Sequence, residues 1–365
     1  MAGSVKKITL LIDEMGYGGA QTQIVKTAQA LARLGHTCEV VYYNILPKPQ
    51  TKTPVDIGCS YLFSPSSNYS SFGKYYRLLN YFRKDDSDII IAFLRLPSVV
   101  AECAKILGFR GKVIVSERNM YVLERQIKFQ LRAFLHKRAD VLYFNSAESH
   151  DYFLNRSYWS HPNTRLIPNI MNMPSNLSGY RGQIPTTIAF VALAKHSPQK
   201  NVECLVEGFR KITNDLSTRI RLEIFGSGYP MYGTLAAEDN VCDVPMASIK
   251  VNQPTNIERI LPNFDYFVSA AHFEGSPNAV VEALSWGLPV ILSDLGQHRR
   301  IVEEFECGWL FDASDPLHLA HCLESAMALT RTEYKTLREK AYRAALEIVR
   351  KNNDLFDQAI NDLTC

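Results

Sequence analysis

The chain has 365 residues, a length that suggests two domains of ordinary size. Its 46% hydrophobic and 21% charged residues exclude a disordered chain, and a formal net charge of +3 is too small to imply nucleic-acid binding by itself. There is no apolar run of the roughly 18 residues needed to span a membrane, and the eight scattered cysteines, without a C-x-x-C pair, point to buried thiols in a reducing cytosol rather than disulfides or a zinc site.

In chain order, the apolar run at 8–12 is shorter than a signal-peptide core, and 5–12 reads as a buried first strand. A glycine-rich turn, 14–20, leads to a helix over 21–34 with Ile24, Ala28, Leu31 and Ala32 on one face and Gly35 closing it. With a strand at 38–43 this is a βαβ start and implies a parallel sheet. Such a turn lies where open α/β sheets bind ligands; it lacks a full G-x-G-x-x-G, so a plain tight connection is the other reading. Residues 47–71 are irregular except for a short strand near Tyr61. A helix at 73–83, a strand at 88–93, a helix at 97–107 and a strand at 112–116 follow. The last strand ends in Glu117-Arg118-Asn119, which are either ligand contacts at a strand's carboxyl end or a solvated edge.

Residues 121–138 read as an amphipathic helix, with Leu123, Ile127, Leu131 and Leu135 every four residues and Arg125, Lys128 and Arg132 along another face. Lys105, Arg110, Lys112, Lys137 and Arg138 add positive charge nearby, so this helix could meet an anionic membrane surface, although a charged face is usually only solvated. A strand at 140–145 and the segment 166–169 end the first half, and 171–185 reads as a linker. The pattern then restarts: strand 187–193, helix 202–212, strand 219–225 followed by Gly226-Ser227-Gly228, helix 255–261 and strand 265–269.

The stretch 272–292 holds Glu274 and Glu282. Ser276 is a preferred N-cap and Pro277 suits the first helical position, which predicts a helix over 277–286 stopped by Gly287 and followed by the apolar run 288–292. A helix N-terminus can bind an anion, whereas carboxylates accept hydrogen bonds from hydroxyls. The combination suggests a sugar attached to a phosphate. A short strand at 310–311, helices at 316–329 and 333–349, and a last segment at 352–363 complete the chain.

These residues resemble the retaining GT-B glycosyltransferases of family 4, also called group 1, of the bacterial surface-polysaccharide type. Glu274 and Glu282 match the family's E-x7-E. Gly18-Gly19-Ala20 resembles its glycine loop, Ile167-Pro168-Asn169 its I-P-N, Pro198-Gln199-Lys200-Asn201 its P-x-K-N and Gly226-Ser227-Gly228 its G-x-G. Gly308-Trp309-Leu310 and Asp315-Pro316 match the G-x-L and D-P that follow, and Ser116-Glu117-Arg118-Asn119 resembles an S-E-R-N of some members that use UDP-sugars.

The resemblance implies an α/β GT-B fold: two Rossmann-like domains facing across a cleft, with the C-terminal helix crossing back to the first. The acceptor-side domain would be 1–172 plus about 350–365, and the nucleotide-sugar domain 184–349. It implies that Glu282 holds the ribose and Glu274 the transferred sugar, while Lys200 neutralises the diphosphate. Backbone N–H groups of Gly275, Ser276, Pro277's neighbour Asn278, Gly18 and Gly19 would complete the phosphate pocket, near Gly226. Glu117, Arg118 and Asn119 are candidate acceptor or donor contacts. No D-x-D stands in a metal-binding loop, so neither a metal nor another cofactor is expected. The resemblance implies retention by same-face attack, with the leaving phosphate helping to accept the acceptor's proton, and no second carboxylate can be placed on the opposite face of the sugar for a covalent intermediate.

Three departures stand out. The family's G-R-L arginine is missing, and Lys195 is the candidate substitute; Ala270-Ala271 replaces P-S; Arg300 stands where a glutamate is common. His272, before the first glutamate, reads as a strand-end residue more readily than as a base. The expected activity is transfer of a sugar from a UDP-sugar, with GDP-mannose second, to a lipid-linked or lipopolysaccharide/O-antigen-type glycan, in the cytoplasm at the inner face of the membrane. Two alternatives are a GT-B UDP-N-acetylglucosamine epimerase, which an assay without acceptor distinguishes, and a non-catalytic nucleotide-sugar-binding protein, which the intact Glu274, Glu282 and Lys200 argue against. A nicotinamide-dependent oxidoreductase is disfavoured because neither half carries a full dinucleotide fingerprint.

Overall fold

The computed structural model describes residues 5–15, 18–44, 60–61, 71–118, 126–155, 160–174, 187–212, 219–230, 233–234, 247–253 and 256–364. The chain divides into two compact units, Met1–Ile170 with Asn352–Cys365, and Met171–Lys351.

The first unit carries strands β1 (Lys7–Glu14), β2 (Thr37–Asn44), β3 (Ser60–Tyr61), β4 (Ile89–Phe93), β5 (Lys112–Glu117), β6 (Val141–Phe144) and β7 (Thr164–Leu166). They form a parallel sheet in the order β3-β2-β1-β4-β5-β6-β7. Both faces of β1 are buried, as its near-continuous apolar run requires. Ile8, Leu10 and Ile12 pack with Ile24, Ala28 and Leu31 of helix α1 (Gly19–Arg33), while Leu11 packs on the other face with Leu78 and Phe82 of α2 (Ser71–Lys84). Gly35 ends α1 at φ +88, with the paired bonds His36 N to Leu31 O and Gly35 N to Ala32 O that satisfy the last carbonyls. Ala32, placed on the buried face from its spacing, is exposed.

Helices α3 (Arg95–Ile106), α4 (Gln126–His136) and α5 (Ala147–Leu154) complete this unit. The sequence reading missed α5, whose start is fixed by Ser146 accepting a hydrogen bond from Ser149 N. On α4 the expected faces are exchanged. Ile127, Leu131 and Phe134 are 79%, 60% and 58% exposed, whereas Arg132 and His136 are buried. Residues 121–125, with Leu123 and Arg125, lie outside the described part. A buried charge cluster explains the inversion. His136 bonds Glu102 through Nδ1 and Glu117 Oε1 through Nε2 at 2.8 Å, and Arg132 Nε stands 3.8 Å from Glu117 Oε1.

The second unit carries β8 (Thr187–Leu193), β9 (Arg219–Phe225), β10 (Gly233–Thr234), β11 (Ala247–Asn252), β12 (Tyr266–Ser269), β13 (Val290–Ser293) and β14 (Gly308–Phe311). Their order is β10-β11-β9-β8-β12-β13-β14, parallel except for β10 against β11. Helices α6 (Val202–Arg210), α7 (Ile257–Ile260), α8 (Asn278–Ser285), α9 (Gly296–Phe305), α10 (Pro316–Met327) and the start of α11 (Arg331–Thr364) cover it. Ile188, Phe190 and Ala192 of β8 meet Leu205, Phe209, Leu319 and Leu323 on one face; Ala189 and Val191 meet Val280, Leu284, Ala341 and Ala344 on the other. The strands β10 and β11 and helix α9 were not anticipated. In α9 the core-facing set begins with the polar Gln297 and His298, which hides its apolar period.

The last two predicted segments form one 34-residue helix, α11. No Gly or Pro interrupts it, and Asn352 and Asn353 carry only a small helical penalty. Its Ala341 and Ala344 belong to the second unit's core and its Phe356, Ile360 and Leu363 to the first unit's. No described helix is long and apolar enough to cross a membrane. Cys204, Cys307 and Cys322 are buried thiols whose pKa burial pushes up, to about 11, 12 and 11.

Candidate active site

In an open parallel sheet, ligands bind beyond the carboxyl ends of the strands where the order reverses. In the second unit that point lies between β8 and β12, and the loops leaving these two strands carry Lys200 and Glu274. Lys200 Nζ donates to Glu274 Oε1 at 2.7 Å, joining residues 74 apart in sequence. The Glu274 side chain is 5% exposed and that of Lys200 23%. A charged pair of this kind, at a sheet edge and still open on the lysine side, can bind an anion with one partner and hydroxyls with the other.

The loop that presents Lys200 is built for that placement. Gly226 N donates to Asn252 O, and a Cβ at Gly226 would lie 1.8 Å from Ala194 O, so only glycine lets the two backbones pass. Gly226, expected among the donor-binding residues, makes its close approach to the protein's own backbone. His196 N donates to Ser227 O at 2.9 Å and Tyr229 Oη to Ala194 O at 2.7 Å. Asn201 takes the left-handed region at φ 48, which asparagine tolerates, and its Nδ2 donates to Ala313 O at 2.8 Å. Lys195 is exposed and has no carboxylate within ion-pair distance among the described residues.

The Glu274 loop is tied to the same wall. His272 N donates to Gln199 O and Gln199 Nε2 to Phe273 O, both at 2.9 Å, while the His272 side chain is exposed. Helix α8 begins one residue later than predicted. Pro277, at φ -81 and ψ 51, is its cap residue, and no side chain caps it. Ser276 Oγ bonds Asn278 Oδ1 at 3.2 Å instead of a helix N–H, so the serine cap is replaced by an open helix end next to Gly275 and Glu274. Glu282 lies more than a turn inside α8 and is half-buried. The helix closes at Gly287, φ +66, with Leu288 N to Ala283 O and Gly287 N to Leu284 O.

Two residues missed from the sequence stand behind Glu274. Gln297 Nε2 donates to Glu274 O at 3.2 Å. His298 is fully buried, its Nδ1 2.8 Å from Ser293 O and its Nε2 3.9 Å from Glu274 Oε2. Burial lowers the His298 pKa, against the pull of Glu274, and the Nδ1 position suits an N–H donated to the Ser293 carbonyl. Their only sequence signal was position: they follow the apolar strand β13 at its carboxyl end.

In the first unit, the order reverses between β1 and β4. After β1, Gly18 caps α1 in extended conformation and Gly18 and Gly19 are exposed at an end that no side chain caps. Glu117 and Arg118 are at the carboxyl end of β5, but the Glu117 carboxylate is buried and directed at His136 and Arg132 rather than outward. Arg118 is also buried, and Asn119 lies outside the described residues. A surface depression lined by Lys6, Arg83, Arg110 and Lys112 is at the opposite, amino-terminal edge, where Asp85, Asp86 and Asp88 balance its charge.

The family model for glycosyl transferases group 1 matches residues 185–328, and that for glycosyltransferase family 4 matches residues 17–173. An uncharacterized glycosyltransferase of Methanocaldococcus jannaschii is 24% identical over 169 residues, 44% of this chain and 41% of that protein, so the match spans less than half of the relative. Among solved structures, Anabaena HepE in complex with UDP and glucose superposes with a TM-score of 0.76 at 17% identity, covering 98% of this chain and 99% of that one. Sucrose-phosphate synthase of Thermosynechococcus elongatus gives 0.71 at 18%, covering 96% and 99%. WaaG, a glycosyltransferase involved in lipopolysaccharide biosynthesis, gives 0.68 at 14%, covering 93% and 95%.

Proposed function

Because the chain belongs to the group 1 and family 4 glycosyltransferases and has their GT-B fold, we propose that it transfers a sugar, with retention, from a UDP-sugar to a lipid-linked or lipopolysaccharide-type glycan. The observation that carries this reading is the Lys200–Glu274 pair beside the uncapped start of α8. Lys200 and the backbone N–H groups of Gly275, Ser276 and Asn278, at and just before the start of α8, take the diphosphate, Glu282 takes the ribose, and Glu274 takes hydroxyls of the transferred sugar. Lys195 supplies a second cation, and Gly226 keeps the Lys200 loop in place. These groups neutralise the leaving diphosphate without a metal. The sugar C1–O bond to phosphate breaks as the acceptor oxygen attacks on the same face, and the acceptor proton passes to the departing phosphate oxygen. Trapping a glycosyl adduct on any carboxylate would rule out this course.

The donor is tested by thermal shift against UDP, GDP, ADP and their sugars. UDP and one UDP-sugar are expected to raise the melting temperature most, by the equivalent of about 2.7 kcal/mol at a hundred-fold excess over Kd. A larger shift with GDP-mannose would reassign the donor, and no shift with any nucleotide would overturn the reading.

A lipid-linked acceptor calls for a membrane-facing surface. The exposed Ile127, Leu131 and Phe134 fall on one face of α4, with exposed Lys137 and Arg138 just beyond its end. This is the opposite face from the one expected, and it combines apolar and basic groups suited to an anionic bilayer. The wild-type chain is expected to co-sediment with vesicles containing phosphatidylglycerol and much less with pure phosphatidylcholine. Changing Ile127, Leu131 and Phe134 together to Ser should release it; unaltered sedimentation would remove α4 from the membrane contact.

A further inference from the structure

The carboxyl edge of the first sheet holds a cation that no described side chain balances. Arg118, just after β5, is 7% exposed. Its NH1 group donates to Ser116 Oγ at 3.1 Å and to the Tyr143 hydroxyl at 3.3 Å, its NH2 group donates to Asn169 Oδ1, and its Cζ stands 5.0 Å from the centre of the Phe93 ring. All four partners are neutral. Among the described residues no carboxylate lies within ion-pair distance, and the adjacent Glu117 is directed at His136 and Arg132. Of the five guanidinium hydrogens, those on Nε and one on NH2 have no acceptor among the described residues, enough for a two-point grip on a phosphate or carboxylate.

An uncompensated buried cation works against folding, and burial pushes the Arg118 pKa down. A bound anion would remove that penalty. A second feature lies at the same edge. Leu94, next to Phe93, has φ 75 and ψ 170, a backbone conformation that a leucine side chain resists. It starts the 12-residue α3 without a side-chain cap, which leaves that helix end positive.

We propose that Arg118 seats an anionic group of the acceptor, either a phosphate or a sugar carboxylate. This rests on the glycosyltransferase reading, in which the second unit takes the donor and the first the acceptor. Ser116, Tyr143 and Asn169 fix the plane of the guanidinium, so the invariant demand of the site is charge and geometry rather than one particular sugar. A neutral glycan would leave the arginine as costly as it is in the free protein.

The test is calorimetric titration of the full chain, saturated with UDP, with methyl phosphate, glucuronate and glucose in separate arms. One of the two anions is expected to bind: phosphate would identify a phosphorylated or lipid-phosphate acceptor, and glucuronate an acidic glycan. R118Q should weaken that anion about ten-fold or more and R118K by less, since lysine keeps the charge but loses the fork. Absence of anion binding to the UDP complex, or equal affinity in R118Q, would overturn the proposal. So would competition between UDP and the anion, which would assign the site to the donor. If R118Q does not fold, R118K and the wild-type titration decide. Glu124 lies outside the described residues; a loss of thermal stability in E124Q that R118Q suppresses would make it the counter-ion and likewise overturn the proposal. Failure of UDP itself to bind is a separate result and counts against the glycosyltransferase reading instead.

Discussion

Removing either member of the Lys200–Glu274 pair is expected to lower kcat for sugar transfer by roughly two to three orders of magnitude. The pair sits where the sheet order reverses, with the carboxylate almost fully buried and the ammonium partly open. Lys200→Met removes the charge that would meet the departing diphosphate, so kcat should fall further than UDP affinity. Glu274→Gln keeps the shape but weakens the acceptor for sugar hydroxyls, so UDP should bind normally while the UDP-sugar loses turnover. The two losses should not add, because each residue orients the other across 2.7 Å. Steady-state kinetics of the single and double variants, with melting temperatures as a folding control, check this. Near wild-type turnover in both single variants would sink the assignment.

The second large effect concerns stability and pH. His136 lies fully buried between Glu102 and Glu117. Burial alone would lower its pKa, but the two carboxylates outweigh that and raise it to about 9. A histidine whose folded pKa exceeds its unfolded value of about 6.5 contributes stability that is complete below that value and lost as pH rises through about 9. The contribution is on the order of 3 kcal/mol. Glu117 works in the other direction. Burial would raise its pKa, yet Arg132 and His136 hold it below the usual range, so its contribution is present above the ordinary glutamate pKa and lost as pH falls. Burial raises Glu102, whose contribution therefore falls as pH rises past the carboxylate range. Denaturant unfolding between pH 6 and pH 10 should show the alkaline decline. His136→Gln should flatten it and cost about 3 kcal/mol or more at neutral pH, since it leaves two buried carboxylates without the imidazolium they share. An unchanged alkaline slope in that variant would place the titration elsewhere.

Much of the fold was legible because parallel strands buried on both faces must be nearly continuous in apolar residues. The strands β1, β4 and β8 stand out in the sequence for this reason, β9 stands out by its alternation of Ile220, Leu222 and Ile224 with charged residues, and the glycines at 35 and 287 mark helix ends that need a positive φ. Strand β11 and helix α9 did not stand out. The first, ASIKVN, offers only Ile249 and Val251 as large apolar positions, and the second starts its buried face with the polar Gln297 and His298 ahead of Ile301, Val302 and Phe305. The Ser276 cap failed on local geometry, because the chain turns at Pro277 and directs the hydroxyl to Asn278.

The sequence by itself determined the two α/β halves, their element types and the spacing of Glu274 and Glu282, because these follow from local period and turn chemistry. Only the tertiary structure decided which face of α4 points inward. A four-residue apolar period defines two faces but not their partners, and Arg132 and His136 are drawn inside by Glu102 and Glu117, carboxylates on other elements. The same holds at the site. Lys200 and Glu274 meet because β8 and β12 are neighbours in the sheet, and strand adjacency is set by the packing of whole elements rather than by any local signal along the chain.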